Sequence, residues 1–352
     1  MDINSTESMP DVLLVADIGG TNARFALVEH KAPGADSAVL SAEHVPAAEL
    51  ARRDYVTTDF SSGAGLVAQA LADFGREPLL CVLALAGPVG QDTLLDRKGA
   101  LTNGGQHFDA TELRQQFGAD FLLLNDFVAV ACAIGPTTAV TPVGRWQGHK
   151  GQRETTNSGV CAVLGAGTGL GMAYLIPALE RTDYEVYASE GGNADFAPVN
   201  ELEQEVLALL RPELGTVRIE SLVSGPGLVN LYVAVCSLWG TKPVHASAAA
   251  ITADAQTGDP LCHQCLSMFC GMLGTAAGNF ALAIGARGGV YLAGGILPRI
   301  REFFLASEFR ARFEDRGPLS HFNQQIPTFL VDESDPGLLG ATRQAQRLAA
   351  MG

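Results

Sequence analysis

Three times in this chain a short apolar run stops on glycine: VLLVA at 12–16 meets DIGGTN at 17–22, VCAVL at 160–164 meets GAGTGLG at 165–171, and GVYLA at 289–293 meets Gly294 and Gly295. Short apolar runs bounded by turn residues read as buried strands. Glycine at a strand end lets the backbone turn sharply and lets a ligand come close, so that successive amides can face phosphate oxygens. One such turn means little. Three of them point to an α/β protein whose turns cradle a nucleotide.

The two commonest nucleotide-binding patterns do not fit. A P-loop needs G-x-x-x-x-G-K-[ST], and no lysine of the chain stands in that setting. The dinucleotide pattern G-x-G-x-x-G fails because Leu170 and Met172 occupy the places of its last glycine. The first turn instead carries an acid, Asp17, ahead of Gly19, Gly20, Thr21 and Asn22. A carboxylate beside phosphate is repulsive unless a cation lies between them, so Asp17 is expected to hold Mg²⁺, mainly through water.

The runs at 12–16 and 23–28 flank the first turn and read as a hairpin. Further buried strands are expected at 79–86 and 121–124, and helices near 64–74, 199–211, 225–238 and 260–283. Laying Gly19-Gly20-Thr21 over Ala166-Gly167-Thr168 also pairs Ala26 with Ala173, at an offset of 147 residues, which suggests two lobes built on one plan. The expected division is a loose tail at 1–10, a small α/β lobe at 11–136 joined by a C-terminal helix at 335–352, and a large α/β lobe at 137–334.

The balance of 38 acidic against 23 basic residues, with no basic stripe, argues against nucleic acid as a partner. The N-terminal residues are polar and acidic, unlike a secretion signal, and the apolar tracts look too interrupted by Gly, Asp or Asn to span a bilayer. A cytoplasmic protein without membrane association is expected. Its seven cysteines are read as reduced and buried, since C-x-x-C at 262–265 lacks the second ligand pair that zinc would want.

Six motifs in order, DIGGTNARFALV, LLNDF, LGAGTGLGMAYL, EGGNADFAP, ESLVSGPGLVNLY and AGGILPR, resemble those of the bacterial glucokinase family over nearly the whole chain. The resemblance implies a two-lobed actin-like (ribonuclease H-like) fold that binds ATP and D-glucose in the cleft between its lobes. It implies phosphoryl transfer from ATP to the glucose 6-hydroxyl, and a homodimer.

On that resemblance Asp126 is the general base and Asn125 a sugar contact. Read alone, the pair suits a helix cap before Phe127 equally well. Glu190 and Glu220 match positions that accept from sugar hydroxyls, with Asn103 as a further candidate; read alone, Glu220 is an ordinary surface acid flanking a helix. Asp195 suits either a further sugar contact or, as the preferred reading, a cap for the helix after Pro198, and Arg24 is expected to make a structural ion pair rather than a phosphate contact. The nucleotide side comprises Ala16, Asp17, Ile18, Gly19, Gly20, Thr21 and Asn22, then Gly165, Gly167, Thr168 and Gly169, then Gly294 and Gly295.

One position departs from the pattern. The family's sugar loop reads E-G-G-H, and here Asn193 stands in place of the histidine. The shorter carboxamide is expected to weaken one sugar contact by about 1 kcal/mol, roughly fivefold to tenfold in affinity. Two other functions suit the same residues: a hexose-binding regulator, or a kinase for another hexose.

Overall fold

The computed structural model describes residues 10–30, 48–90, 93, 95–135, 138–147, 159–178 and 184–351. Residues 1–9 of the expected tail, and 137 and 148–158 near the start of the expected large lobe, lie outside the described residues. The chain divides into two compact units, 1–137 with 334–352, and 138–333.

The first unit opens with β1 (Val12–Ile18), β2 (Asn22–Glu29), β3 (Glu49–Val56), α1 (Gly63–Phe74) and β4 (Leu80–Leu85). A small hairpin follows, β5 (Lys98–Ala100) and β6 (His107–Asp109), then α2 (Ala110–Phe117), β7 (Asp120–Asn125) and α3 (Asp126–Cys132). Among the described residues five strands form one sheet in the order β3-β2-β1-β4-β7, with β1, β4 and β7 parallel.

Side chains alternate across a strand, so β1 feeds two cores. Val12, Leu14, Ala16 and Ile18 pack with Leu66, Val67 and Ala70 of α1 and Leu113 of α2, whereas Leu13 and Val15 pack with Ala129 of α3. Both faces being covered, the strand reads as an unbroken apolar run.

The second unit contains β8 (Val140–Pro142), β9 (Cys161–Ala166), β10 (Leu170–Pro177), β11 (Tyr184–Ser189), α4 (Glu201–Leu214), α5 (Gly225–Leu238), α6 (Ala248–Thr257) and α7 (Pro260–Ile284). It continues through β12 (Gly289–Ala293), α8 (Arg301–Leu305), α9 (Phe309–Glu314), α10 (Ser320–Asn323) and β13 (Thr328–Val331). Its sheet, again among the described residues, runs β11-β10-β9-β12-β13-β8, with β9, β12 and β13 parallel. The closing helix α11 (Pro336–Ala349) returns to the first unit, where Leu338, Ala341 and Ala345 join the core of Leu13 and Val15.

Two expectations need correction. Helix α7 is long and apolar enough to cross a membrane, contrary to the reading of interrupted tracts, because glycine and asparagine interrupt neither its helix nor its low polarity. It is a core helix, with 78% of its apolar window buried in the protein. Asp195 does not cap α4; Asn200 does, accepting the Glu203 amide at 2.9 Å, because it directly precedes the first turn. The seven cysteines are free thiols, six of them buried and Cys132 half-buried.

Candidate active site

In the first unit the carboxyl ends of β1, β4 and β7 lie side by side, with Ile18 paired to Leu85 and Leu85 to Asn125. Such a row of strand ends is the usual ligand edge of a parallel sheet. Ala16, Asp17 and Ile18 finish β1, and Gly19 donates to the Asn22 carbonyl at 2.9 Å to close the turn. Thr57 pins that turn from β3's end, its hydroxyl donating to Gly19 O and its amide to Thr21 O, both at 2.8 Å. Gly20 must be glycine: a Cβ there would lie 2.0 Å from the carbonyl oxygen of Asn103. The exposed Asn103 is thereby brought against the first glycine turn. Gln106 fastens its loop, donating to the carbonyls of Thr57 at 3.2 Å and Phe60 at 3.0 Å.

Asn125 does cap α3, accepting the amides of Phe127 at 2.9 Å and Val128 at 3.3 Å, while its Nδ2 donates to Gly87 O at 3.0 Å. Such a cap contributes about 1 kcal/mol. Asp126 is half-buried, and its Oδ1 also accepts the Phe127 amide, at 2.8 Å. Burial and then the charge of Asp17 push the Asp126 carboxyl up to about 6, against the pull of the Phe127 amide. Asp17 is itself raised, chiefly by burial; Arg24 draws it back and Asp335 pushes it further up. Its carboxylate lies against Gly337 in the first turn of α11. Arg24 makes the expected ion pair, to Asp335 at 3.1 Å, and Arg52 joins it at 2.8 Å.

Among the described residues no group of three or more His, Cys, Asp or Glu side chains is placed to hold a metal. A cage made of protein ligands alone is therefore absent there. Asp17 beside Asp126, two like charges that raise the carboxyl of one, fits a divalent cation held through water and phosphate oxygens.

In the second unit Gly165 and Ala166 finish β9, and Gly167, Thr168 and Gly169 make the turn into β10. The Gly167 amide donates to Gly169 O at 2.8 Å, and Gly225 at the start of α5 donates to Gly167 O at 2.7 Å. Gly294, at φ +93°, lies so close to β9 that a Cβ would sit 2.4 Å from Ala166 O. That leaves the exposed Gly295 free to face a ligand beside the second turn.

The loop bearing Glu190 and Asn193 is knitted to the segment bearing Glu220 by backbone bonds, Phe196 to Val217 and Ile219 to Ala194, each 2.9 Å. Glu220 is half-buried, and its Oε2 accepts the Leu170 amide at 2.8 Å, tying it to the second glycine turn. Asn193 Nδ2 donates to Glu190 Oε2 at 3.1 Å, and Arg218 donates to Asn193 Oδ1 at 2.6 Å. Arg218 also stands 3.9 Å from Glu220. Sequence reasoning passed over Arg218, although a base two residues before a candidate acid was a signal; Thr57 and Gln106 gave none.

A family model described as Glucokinase matches residues 14–348. The chain belongs to the glucokinase family. The glucokinase of Yersinia pestis (strain Pestoides F) is 39% identical over 337 residues, which cover 95% of this chain and 96% of that protein. Among solved structures, glucokinase from an Antarctic psychrotroph is 35% identical and superposes with a TM-score of 0.76, covering 96% of this chain and all of that one. Glucokinase from Balamuthia mandrillaris in complex with glucose is 20% identical, with a TM-score of 0.74 over 97% of this chain and 95% of that one, and it speaks for the fold alone. The glucokinase-family chain has the two-lobed actin-like α/β fold.

Proposed function

We propose that this chain is an ATP-dependent glucokinase, in which Asp126 takes the proton of the glucose 6-hydroxyl. The observation that carries the reading is a half-buried carboxyl at a strand end, pushed up to about 6 and so ionised near neutral pH yet basic enough to accept a proton. Family membership supports the same activity.

As the 6-hydroxyl oxygen bonds to the γ-phosphorus, its proton passes to Asp126 and the bond from that phosphorus to the β,γ-bridging oxygen breaks, leaving ADP. Asn125, capping α3, fixes Asp126 at the head of that helix and bonds to its carboxyl, and its Nδ2 is the group that would meet a sugar hydroxyl. Glu190 and Glu220 accept from other ring hydroxyls, Glu220 through the oxygen that Leu170 does not use. The amides of Gly20, Thr21, Thr168 and Gly169 face phosphate oxygens, those of Gly19 and Gly167 being used to close the turns, and Gly294 and Gly295 lie toward the adenosine. Mg²⁺, held by Asp17 through water, would neutralise phosphate charge.

The test is ADP release by the purified protein with Mg²⁺-ATP across glucose, mannose, fructose and glucosamine. Turnover highest with glucose supports the reading. A higher rate with another hexose makes the chain a kinase for that sugar, and binding without turnover makes it a hexose-binding regulator.

A further inference from the structure

Asn193 stands where the resemblance expects a histidine meeting the sugar, and its carboxamide is already spent within the protein. Its Oδ1 accepts from Arg218 at 2.6 Å, and its Nδ2 donates to Glu190 at 3.1 Å. We propose that Arg218 is a positioning residue for sugar binding, which holds the Asn193 carboxamide so that it orients Glu190 rather than touching the hexose. The inference rests on the glucokinase reading and adds a residue to it.

The local backbone supports this role. Asp195 and Arg218 form a β-bridge, and the flanking bonds of Phe196 to Val217 and Ile219 to Ala194 fix the two segments side by side. Arg218 therefore approaches Asn193 from a rigid neighbour, and less side-chain freedom is lost in making the bond. A guanidinium has only donors, so it selects the carboxamide oxygen and turns the nitrogen toward Glu190. The same guanidinium lies 3.9 Å from Glu220, whose other oxygen holds the Leu170 amide. Arg218 thus lies near Glu220 and is linked to Glu190 through Asn193. A histidine at 193 would offer no such oxygen. The arginine and the asparagine form one device.

The experiment compares Arg218→Ala, Asn193→Ala and the double variant in steady-state kinetics with glucose and with ATP. Each single change is expected to raise KM for glucose about fivefold to tenfold, the size of one lost polar link. For Arg218→Ala, kcat and KM for ATP should stay within about twofold. The double variant should be no worse than either single one, because both break the same link. Arg218→Lys, which keeps a charged donor, should recover most of the affinity, and it serves if the alanine variant does not fold. An unchanged KM for glucose in Arg218→Ala, single effects that multiply in the double variant, or an equal rise in KM for ATP would overturn the proposal. Failure of the glucokinase reading looks different, since the unmodified protein would then show no glucose-dependent turnover.

Discussion

The two sheets repeat one plan. In the first unit a hairpin of β1 and β2 carries an antiparallel edge strand, β3, on one side and the parallel pair β4 and β7 on the other; in the second, β9 and β10 carry β11, β12 and β13 in the same places. The turns at the heart of each plan differ in charge. The first holds Asp17 with Arg24 and Asp335 nearby, whereas the offset of 147 residues puts the buried, uncharged Leu164 where the first has its acid. The repeated strand order thus carries two glycine turns, only the first of which has an acid at this place. The lesson is that topology supplies amide groups, while the charges that give a turn its chemistry are placed one residue at a time.

Removing Asp126, the proposed base, should have the largest effect. Asp126→Ala is expected to lower kcat about 10²-fold to 10⁴-fold in a coupled assay, with the melting temperature unchanged or higher, since an ionised carboxylate is held there against burial. Activity above a tenth of the unmodified rate would end its assignment as base. Giving the second turn an acid comes next. Leu164 is fully buried, so Leu164→Asp places an unpaired charge in the core and should cost about 3–5 kcal/mol in urea unfolding. An unchanged unfolding midpoint would mean that the second turn tolerates what the first one has.

Making the first turn as neutral as the second is milder. Asp17→Asn should weaken the apparent Mg²⁺ affinity about tenfold to a hundredfold, read from the dependence of rate on free Mg²⁺; an unaltered titration would remove Asp17 from the cation's surroundings. The smallest effect is that of pH. Asp126, raised from 3.8 to about 6, must be ionised to act, so kcat/KM for glucose should fall about tenfold per unit below pH 6. Stability moves the other way. A raised carboxyl favours its protonated form in the fold, so its contribution is greatest below about 4 and is lost as pH climbs through 6. A rate profile flat to pH 5 would contradict the value for Asp126.

Strands buried on both faces were legible because unbroken apolar runs such as VLLVA and LLCVLALA allow few other structures. Two of the strands that end a sheet among the described residues, β3 and β11, were not: they read ELARRDYV and YEVYAS, half polar, and charge at an edge is what discourages aggregation. Helix α7 was placed by its apolar content, yet its passing the length of a membrane span was missed, because the glycines that seemed to interrupt it are helical and face α9, as Gly274 does against Phe309. Within the site, residues contiguous in a motif could be read together. Thr57, bonded to Gly19 across 38 positions, and Arg218, bonded to Asn193 across 25, belong to no shared motif; only the folded chain brings each pair together.

The return of α11 to the first unit has a consequence for how the protein is made. Asp335 pairs with Arg24, and Gly337 lies against Asp17, yet the ribosome delivers these partners hundreds of residues apart. At about 5–20 residues per second, the early sheet waits on the order of ten seconds or more for its last helix, while the whole of the second unit emerges and can fold. A chain cut short before Asp335 would expose the apolar face of Leu13 and Val15 and leave Asp17 without the helix turn it rests on. Loss of α11 would therefore yield an aggregation-prone fragment rather than a slow enzyme.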